Sequence, residues 1–90
     1  MLLAATRVED IDRFLKVFST KGAEKRKKHG SKGSIVFRDP SDANKLWVIL
    51  DWDAKGWQSF VSDPEVQPIL KEAGHLAKPQ VAELVGTFGA

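Results

Sequence analysis

Apolar residues recur along this chain at two different spacings, one typical of strands and the other typical of helices. Four short runs are apolar or β-branched enough to predict strands. These runs are residues 1–8, 33–38, 46–52 and 80–88. The two longer intervening segments place apolar side chains three and four residues apart, which predicts helices. These side chains are Ile11, Phe14, Leu15 and Phe18 in the first segment, and Trp57, Phe60, Val61, Val66, Ile69, Leu70 and Ala73 in the second. The resulting order is β-α-β-β-α-β, the ferredoxin-like split βαβ arrangement of the α+β class.

Glycine and proline predict where these helices are interrupted and where they end. Gly22 is expected to weaken or kink the first helix, which then continues through a basic last turn and stops at Gly30. In the second segment Asp63 and Pro64 interrupt the pattern, and Pro64 is expected to occupy a first helical position. The helical spacing then resumes until Gly74.

The predicted strands carry apolar side chains on both faces, because successive residues of a strand point to opposite sides. In the third strand one face carries Leu46, Val48, Leu50 and Trp52, and the other face carries Trp47 and Ile49. Ile35 and Phe37 likewise point opposite to Val36. Two helices cover only one face of a four-stranded antiparallel sheet, so the other face needs a second cover. For a chain of 90 residues with a small core, a second copy is the expected cover. We therefore predict a homodimer packed sheet on sheet, a dimeric α+β barrel.

The composition narrows the function classes. The chain holds no cysteine, which excludes disulfides, iron–sulfur clusters, thiolate zinc sites and a cysteine nucleophile. It has no phosphate-binding glycine loop, nucleophile elbow, zinc-protease motif or dinucleotide-binding motif, and no cofactor is expected. No segment approaches the roughly 20 apolar residues of a membrane span, and residues 1–6 are too short for a signal-peptide core. We expect one domain over residues 1–90, in the cytoplasm and away from membranes.

Six short segments together resemble a known group of proteins. They are Ile-Asp-Arg-Phe (11–14), Lys-Lys-His-Gly-Ser (27–31), Val-Phe-Arg-Asp-Pro (36–40), Asn44, Asp-Trp-Asp (51–53) and Phe-Val-Ser-Asp-Pro (60–64). The chain is similar to the small bacterial proteins of the dimeric α+β barrel superfamily, relatives of the antibiotic biosynthesis monooxygenases and polyketide cyclases. The resemblance covers nearly the whole chain and implies a homodimer with a pocket between sheet and helices in each subunit. It implies a small-molecule-binding protein, as a cofactor-independent monooxygenase or cyclase acting on an aromatic or polyketide-like compound.

One position departs from the pattern of the oxygenases in this superfamily. Asp51 and Trp52 match their acidic-aromatic strand end, which is commonly followed by a histidine on the next helix. Val61 stands near the place of that histidine, so its role is not carried over. Any acid–base chemistry is then expected from His29 or His75.

These two histidines are the candidate catalytic residues, since an unperturbed imidazole titrates at about pH 6.5. His29 is predicted at a helix C-terminus, where the helix dipole alone also favours an imidazolium. His75 is predicted in the loop before the last strand, where it either caps a pocket mouth or lies in solvent. The sequence offers no third ligand for either histidine, and no metal site is expected.

Four aromatic residues are candidates for ligand binding. Trp52 and Trp57, with Phe14 and Phe18, could line a cavity for a flat aromatic compound. Trp47 lies on the opposite strand face from Trp52 and cannot share that cavity. The alternative is that these rings simply pack in the core.

Charged residues at strand ends complete the candidate ligand-binding set. Arg7 and Asp51 are expected near the C-terminal ends of the first and third strands, with Arg38 at the end of the second strand alongside. This placement assumes that the first and third strands are adjacent and parallel. A carboxylate between two guanidinium groups would stay ionised and could orient a phenol or carboxylate ligand. The alternative is a structural ion pair, in which case Asp51→Ala should destabilise the chain far more than Asp53→Ala.

The positive charge of the chain is concentrated in residues 21–32. This segment holds six of the 14 basic residues and one of the 12 acidic ones. Such a patch could bind an acidic partner or nucleic acid, which would make the protein a non-catalytic binding or structural dimer. The preferred interpretation is a solvated helix end, and a nucleic-acid partner is not expected.

Overall fold

The helices and strands follow the predicted order in the computed structural model, which describes residues 1–90. The strands are β1 (Leu2–Arg7), β2 (Ser34–Arg38), β3 (Lys45–Leu50) and β4 (Gln80–Glu83). The helices are α1 (Ile11–Phe18), α2 (Lys21–Lys28), α3 (Ala54–Ser62) and α4 (Val66–Glu72). None of the helices has the length and apolar character needed to cross a membrane.

The four strands form one antiparallel sheet in the order β2-β3-β1-β4, which confirms the predicted α+β fold class. One part of the topology was predicted wrongly: β1 and β3 are neighbours, but they are antiparallel, with Leu2 opposite Leu50 and Arg7 opposite Lys45. The reason lies in the connections. The helical crossover leaves β2 parallel to β1, and the hairpin that follows reverses the direction of β3.

The sheet has one covered face and one open face. Leu46, Val48 and Leu50 of β3 are 2–3% exposed beneath the helices, which confirms the predicted alternation along this strand. On the other face Ile35 and Phe37 of β2 are 58% and 49% exposed. The open face is therefore strongly apolar and lacks a cover within the chain.

Each helical segment is divided into two short helices, and the break in the first segment lies slightly ahead of the predicted one. The first segment breaks at Ser19 and Thr20, ahead of Gly22, because the hydroxyl of Thr20 donates to the carbonyl oxygen of Lys16 at 2.7 Å. Gly30 does end α2 as predicted, with a φ of 94°.

The second segment breaks at Asp63, as predicted. Pro64 is not a first helical residue, however, because α4 begins at Val66. The Asp63 side chain accepts a hydrogen bond from the Glu65 amide at 2.9 Å and its carbonyl oxygen accepts one from the Val66 amide at 3.0 Å. These bonds form a turn that delays the start of the helix.

The last strand is shorter than predicted, ending at Glu83 instead of Phe88. Glu83 pairs with Leu2, the first residue of β1. Beyond that point one further backbone hydrogen bond, from the Leu84 amide to the Met1 carbonyl oxygen at 3.1 Å, ends the pairing. Val85 and Phe88 are 100% and 86% exposed as a result.

Candidate ligand site

A cavity lies between the covered face of the sheet and the helices. Sixteen residues line it, and 11 of them are hydrophobic. Its aromatic wall consists of Phe14, Phe18, Trp57 and Phe60. Three of the four aromatic residues singled out from the sequence therefore meet here. Trp52 lies behind this wall, with its ring centroid 5.9 Å from that of Trp57 and 5.3 Å from that of Phe60.

The volume of this cavity limits what it holds as it stands. At about 60 Å³, it exceeds the roughly 10–15 Å³ that one water molecule requires and falls below the roughly 150 Å³ of an apolar cavity that binds benzene. A ligand with an aromatic ring therefore enters only when lining side chains move. Phe18, Arg26 and Trp57 are among the lining side chains that keep some exposure to solvent, so their movement would not require the rest of the core to open.

His75 lies in the wall of the cavity, held against the sheet by its neighbours. The chain leaves α4 through Gly74, whose φ of 82° turns it sharply towards β1. The Leu76 amide then donates to the Arg7 carbonyl oxygen at 2.9 Å. The ring of His75 packs edge-on against Phe14 at 5.5 Å, and a hydrogen bond of 2.7 Å joins its Nδ1 to Thr6 Oγ1.

The protonation of His75 suits a proton acceptor. Burial lowers the pKa of His75 below its usual value, so the ring is neutral at pH 7. In the tautomer that carries the proton on Nδ1, this nitrogen donates to Thr6 Oγ1 and Nε2 keeps a free lone pair. No side-chain hydrogen bond of the chain engages Nε2.

The same histidine also borders the outside of the molecule. His75, Leu70 and Pro79 line both the inner cavity and a polar surface cleft formed by α3, α4 and the loop before β4. His75 therefore stands at the boundary between solvent and the apolar interior, which is the pocket-mouth placement considered from the sequence.

His29 is placed elsewhere, at the C-cap of α2, and does not line the cavity. Its Nδ1 is hydrogen-bonded to Ser59 Oγ at 2.8 Å and its Nε2 to Asp63 Oδ2 at 2.9 Å. The bond from His29 and another from the Glu65 amide lower the pKa of the Asp63 carboxyl. Both ring nitrogens of His29 are thus engaged in fastening α2 to α3.

The predicted grouping of Arg7, Arg38 and Asp51 is wrong. Because β1 and β3 are antiparallel, Asp51 follows the end of β3 that pairs with Leu2, while both arginines lie at the opposite edge of the sheet. Arg7 instead forms an ion pair with Asp42, 2.9 Å between Nη2 and Oδ2. The expected ion pair of Asp51 does not form. There is therefore no longer a reason to expect that Asp51→Ala lowers stability more than Asp53→Ala does.

Arg26 is a charged lining residue that the sequence analysis did not single out. It was one of several consecutive cations in the basic segment, yet its side chain turns back towards the cavity. Its Nη2 donates to the Phe18 carbonyl oxygen at 2.8 Å, and its guanidinium carbon lies 3.5 Å from the centroid of the Phe18 ring. Burial lowers the pKa of Arg26 to about 10, so the group still carries its charge at pH 7.

The rest of the basic segment is less available than the sequence indicated. Lys21 forms an ion pair with Glu72 at 2.9 Å, and Lys25 forms one with Glu65. With Arg26 turned inwards, three of the six basic side chains of residues 21–32 are engaged within the chain. This arrangement weakens the case for an acidic or nucleic-acid partner at α2.

Comparison with known proteins supports the fold through structure and not through sequence. No model of a protein family matches the chain, and no curated protein matches it. Among solved structures, SnoaB, a cofactor-independent oxygenase from Streptomyces nogalater, superposes with a TM-score of 0.73 at 16% identity, covering 99% of this chain and 95% of that one.

Two further structures agree with this one. An antibiotic biosynthesis monooxygenase has a TM-score of 0.65 at 15% identity and 96% coverage of both chains. The chain has the subunit fold of the antibiotic biosynthesis monooxygenases. An uncharacterized NIPSNAP domain protein from Burkholderia xenovorans shares this fold, with a TM-score of 0.67 at 18% identity, covering 100% of this chain and 98% of that one. The predicted resemblance to the dimeric α+β barrel superfamily is confirmed at the level of the fold.

Proposed function

We propose that the chain forms a homodimer whose subunits each bind a small aromatic or polyketide-like compound in the cavity, and that His75 removes a proton from it. The observation that carries the proposal is the Thr6–His75 pair in the wall of a mainly apolar cavity. A neutral imidazole with a free Nε2 is suited to accept a proton from a weakly acidic C–H or O–H group. His29 has no such free nitrogen and is not assigned this role.

The chemistry that follows proton removal requires no cofactor. The electron pair left on the ligand either attacks a carbonyl group of the same molecule, which is a cyclisation, or passes to dioxygen, which is an oxygenation. In the second case an activated methylene group and O₂ give a carbonyl group and water, so that one oxygen atom enters the product and the other leaves with both hydrogens. The apolar wall would keep bulk water from the carbanion. SnoaB, which has the same fold, is a cofactor-independent oxygenase.

Binding is tested first, with 2-naphthol as the probe and tryptophan fluorescence as the signal. We expect saturable quenching in the unaltered chain. Quenching should be lost in Trp57→Phe, because Trp57 lines the cavity, and kept in Trp47→Phe, because Trp47 lies on the open face. Absence of saturable quenching in the unaltered chain would refute the proposed ligand site.

Proton removal is tested with anthrone, whose methylene group between two aromatic rings is a carbon acid. Its oxidation to anthraquinone is followed by absorbance, together with oxygen consumption. Because a positioned general base contributes roughly 10²–10⁴-fold to a rate, His75→Gln should lose about two orders of magnitude or more. His29→Gln is the matched control and should keep the rate. Equal rates in the two variants would exclude His75 as the base.

The homodimer is supported by the open face of the sheet, where Leu3, Ile35 and Phe37 are 41–58% exposed. Sedimentation should report a dimer for the unaltered chain and a monomer for Phe37→Asp. Leu15→Asp introduces the same charge at a residue of α1 that is 40% exposed, and it should leave the dimer intact. Sedimentation of the unaltered chain as a monomer would rule out the homodimer.

A further inference from the structure

The cavity contains a positive charge that the protein does not neutralise. Arg26 and His75 are the two ionisable side chains among the lining residues, and no aspartate or glutamate lines the cavity. The ion pairs of the molecule involve Arg7, Arg13, Lys21, Lys25 and His29, not Arg26. Arg26 is half-buried, and partial loss of water around a cation without a counter-ion is unfavourable, so its position beside an apolar cavity requires a reason.

The contacts of Arg26 orient its guanidinium group without satisfying it. Of the five N–H groups of an arginine, one has a protein acceptor, the carbonyl oxygen of Phe18 at 2.8 Å. Contact of its guanidinium carbon with the face of the Phe18 ring, at 3.5 Å from the centroid, adds a cation–π interaction. The remaining donors have no acceptor within the protein, and the charge has no counter-ion there.

Gly22 provides the space in which this group lies. A Cβ atom at Gly22 would stand 3.0 Å from Nη1 of Arg26 and 3.2 Å from the carbonyl oxygen of Val17. Any side chain at this position would therefore press on the guanidinium group. Gly22 also lines the cavity, so the bare backbone keeps Arg26 at the cavity wall.

We infer that Arg26 receives the carboxylate of an otherwise apolar ligand, whose ring lies against Phe14, Phe18 and Trp57. The inference rests on the proposed function, because it takes the cavity as the ligand site, and it adds the class of ligand: an aromatic carboxylic acid in its ionised form. The planar guanidinium fork matches the two oxygens of a carboxylate. One carboxylate charge balances one cation, whereas the second charge of a phosphate ester would stay uncompensated in this cavity.

The experiment compares two probes of the same shape, 2-naphthoate and 2-naphthamide, which differ in charge. Their dissociation constants are measured at pH 7 by titration of tryptophan fluorescence. In the unaltered chain we expect 2-naphthoate to bind at least about tenfold more tightly, a ratio that corresponds to ~1.4 kcal/mol. Arg26→Met should bring this ratio to about one. Lys27→Met removes the same charge from the exposed neighbouring position and should keep the ratio.

A second variant protects the test from a failure of Arg26→Met to fold. Arg26→Lys keeps the charge and loses the fork, so it should give an intermediate ratio. If 2-naphthamide binds the unaltered chain as tightly as 2-naphthoate, or if Arg26→Met keeps the preference, the assignment of Arg26 is overturned while the ligand site remains. If neither compound nor 2-naphthol binds, the proposed function falls as well.

Discussion

His29 and His75 are packed in similar ways, each edge-on against a phenylalanine ring and each hydrogen-bonded through Nδ1 to a hydroxyl group. They differ at the second nitrogen. Nε2 of His29 is bonded to Asp63, whereas Nε2 of His75 has no protein partner. The same side chain thus fastens two helices in one region and keeps one ring nitrogen without a protein partner in the other.

The surroundings of the two histidines differ in the same sense. We call the region of His29, Trp52, Gly56, Ser59 and Asp63 the closed end of the helical layer. There the indole Nε1 of Trp52 donates to the carbonyl oxygen of His29 at 2.8 Å, and aromatic rings fill the space. At the cavity, Arg26 and His75 have hydrogen-bonding groups that no protein group engages. Polar groups with all partners present indicate a structural role, and polar groups with unused capacity beside an apolar space indicate a ligand.

The largest expected effect comes from truncating the two tryptophans that face each other across this boundary. Trp52 is 5% exposed, and Trp52→Ala should cost about 3–5 kcal/mol of the free energy of unfolding. Trp57→Ala should cost clearly less, because Trp57 is half-buried and borders space that already exists. Urea denaturation of both variants measures the difference. Equal costs would mean that the cavity wall is as structural as the closed end.

Adding a single methyl group should have the next largest effect. A Cβ atom at Gly56 would collide with the Trp52 ring and lie 2.8 Å from the carbonyl oxygen of His29. Gly56→Ala should therefore cost about 1–3 kcal/mol in urea denaturation, the usual range for overpacking. Gly33→Ala is the control, since nothing lies within 4 Å of a Cβ atom there. A neutral Gly56→Ala would show that the closed end is loosely packed.

A smaller loss of stability is expected from changes at the start of α3. The Asp53 side chain accepts a hydrogen bond from the Gly56 amide at 2.7 Å and caps α3, so Asp53→Ala should cost about 1 kcal/mol. Asp51→Ala, two residues earlier and exposed, should change stability by less than about 0.5 kcal/mol. Thermal melts at pH 7 give both values. The order is the reverse of that expected from the sequence, and a larger loss for Asp51→Ala would restore the ion-pair interpretation.

The smallest effect is a dependence of stability on pH that arises at the cavity. The pKa of His75 is lower in the folded chain than its usual 6.5, so the unfolded chain binds the proton more readily. His75 therefore imposes no cost above pH 6.5, and stability falls as the pH drops from there through the folded pKa. Melting temperatures at pH 8 and pH 5.5 should show a decrease in the unaltered chain that is smaller in His75→Gln. Identical decreases would show that another group causes the loss.

The sequence predicted the sheet, the open face and three of the four rings in the aromatic wall of the cavity, because these depend on local periodicity. Trp52 was wrongly predicted to line the cavity. Periodicity indicates which face of the sheet a ring occupies, but not which of several rings on that face borders the cavity. The grouping of Arg7 with Asp51 failed because it depended on strand direction, a property of the whole topology. Arg26 was missed because composition does not distinguish one cation of a run from the next. Gly22, one helical turn before Arg26, was the feature of the sequence that could have distinguished Arg26 from its neighbours.

The attachment of α2 has a consequence for the motion of the chain. Apart from its C-cap His29, which is fastened to α3, this helix buries one residue, Gly22, and it is tied to the two ends of α4 by the pairs Lys21–Glu72 and Lys25–Glu65. A helix of eight residues is not stable by itself, and exposed ion pairs weaken as salt screens them. The amide hydrogens of α2 should therefore exchange through local opening, well before those of β1 and β3, and faster at high ionic strength. The arginine in the cavity wall is then carried by a helix that opens locally before the centre of the sheet does.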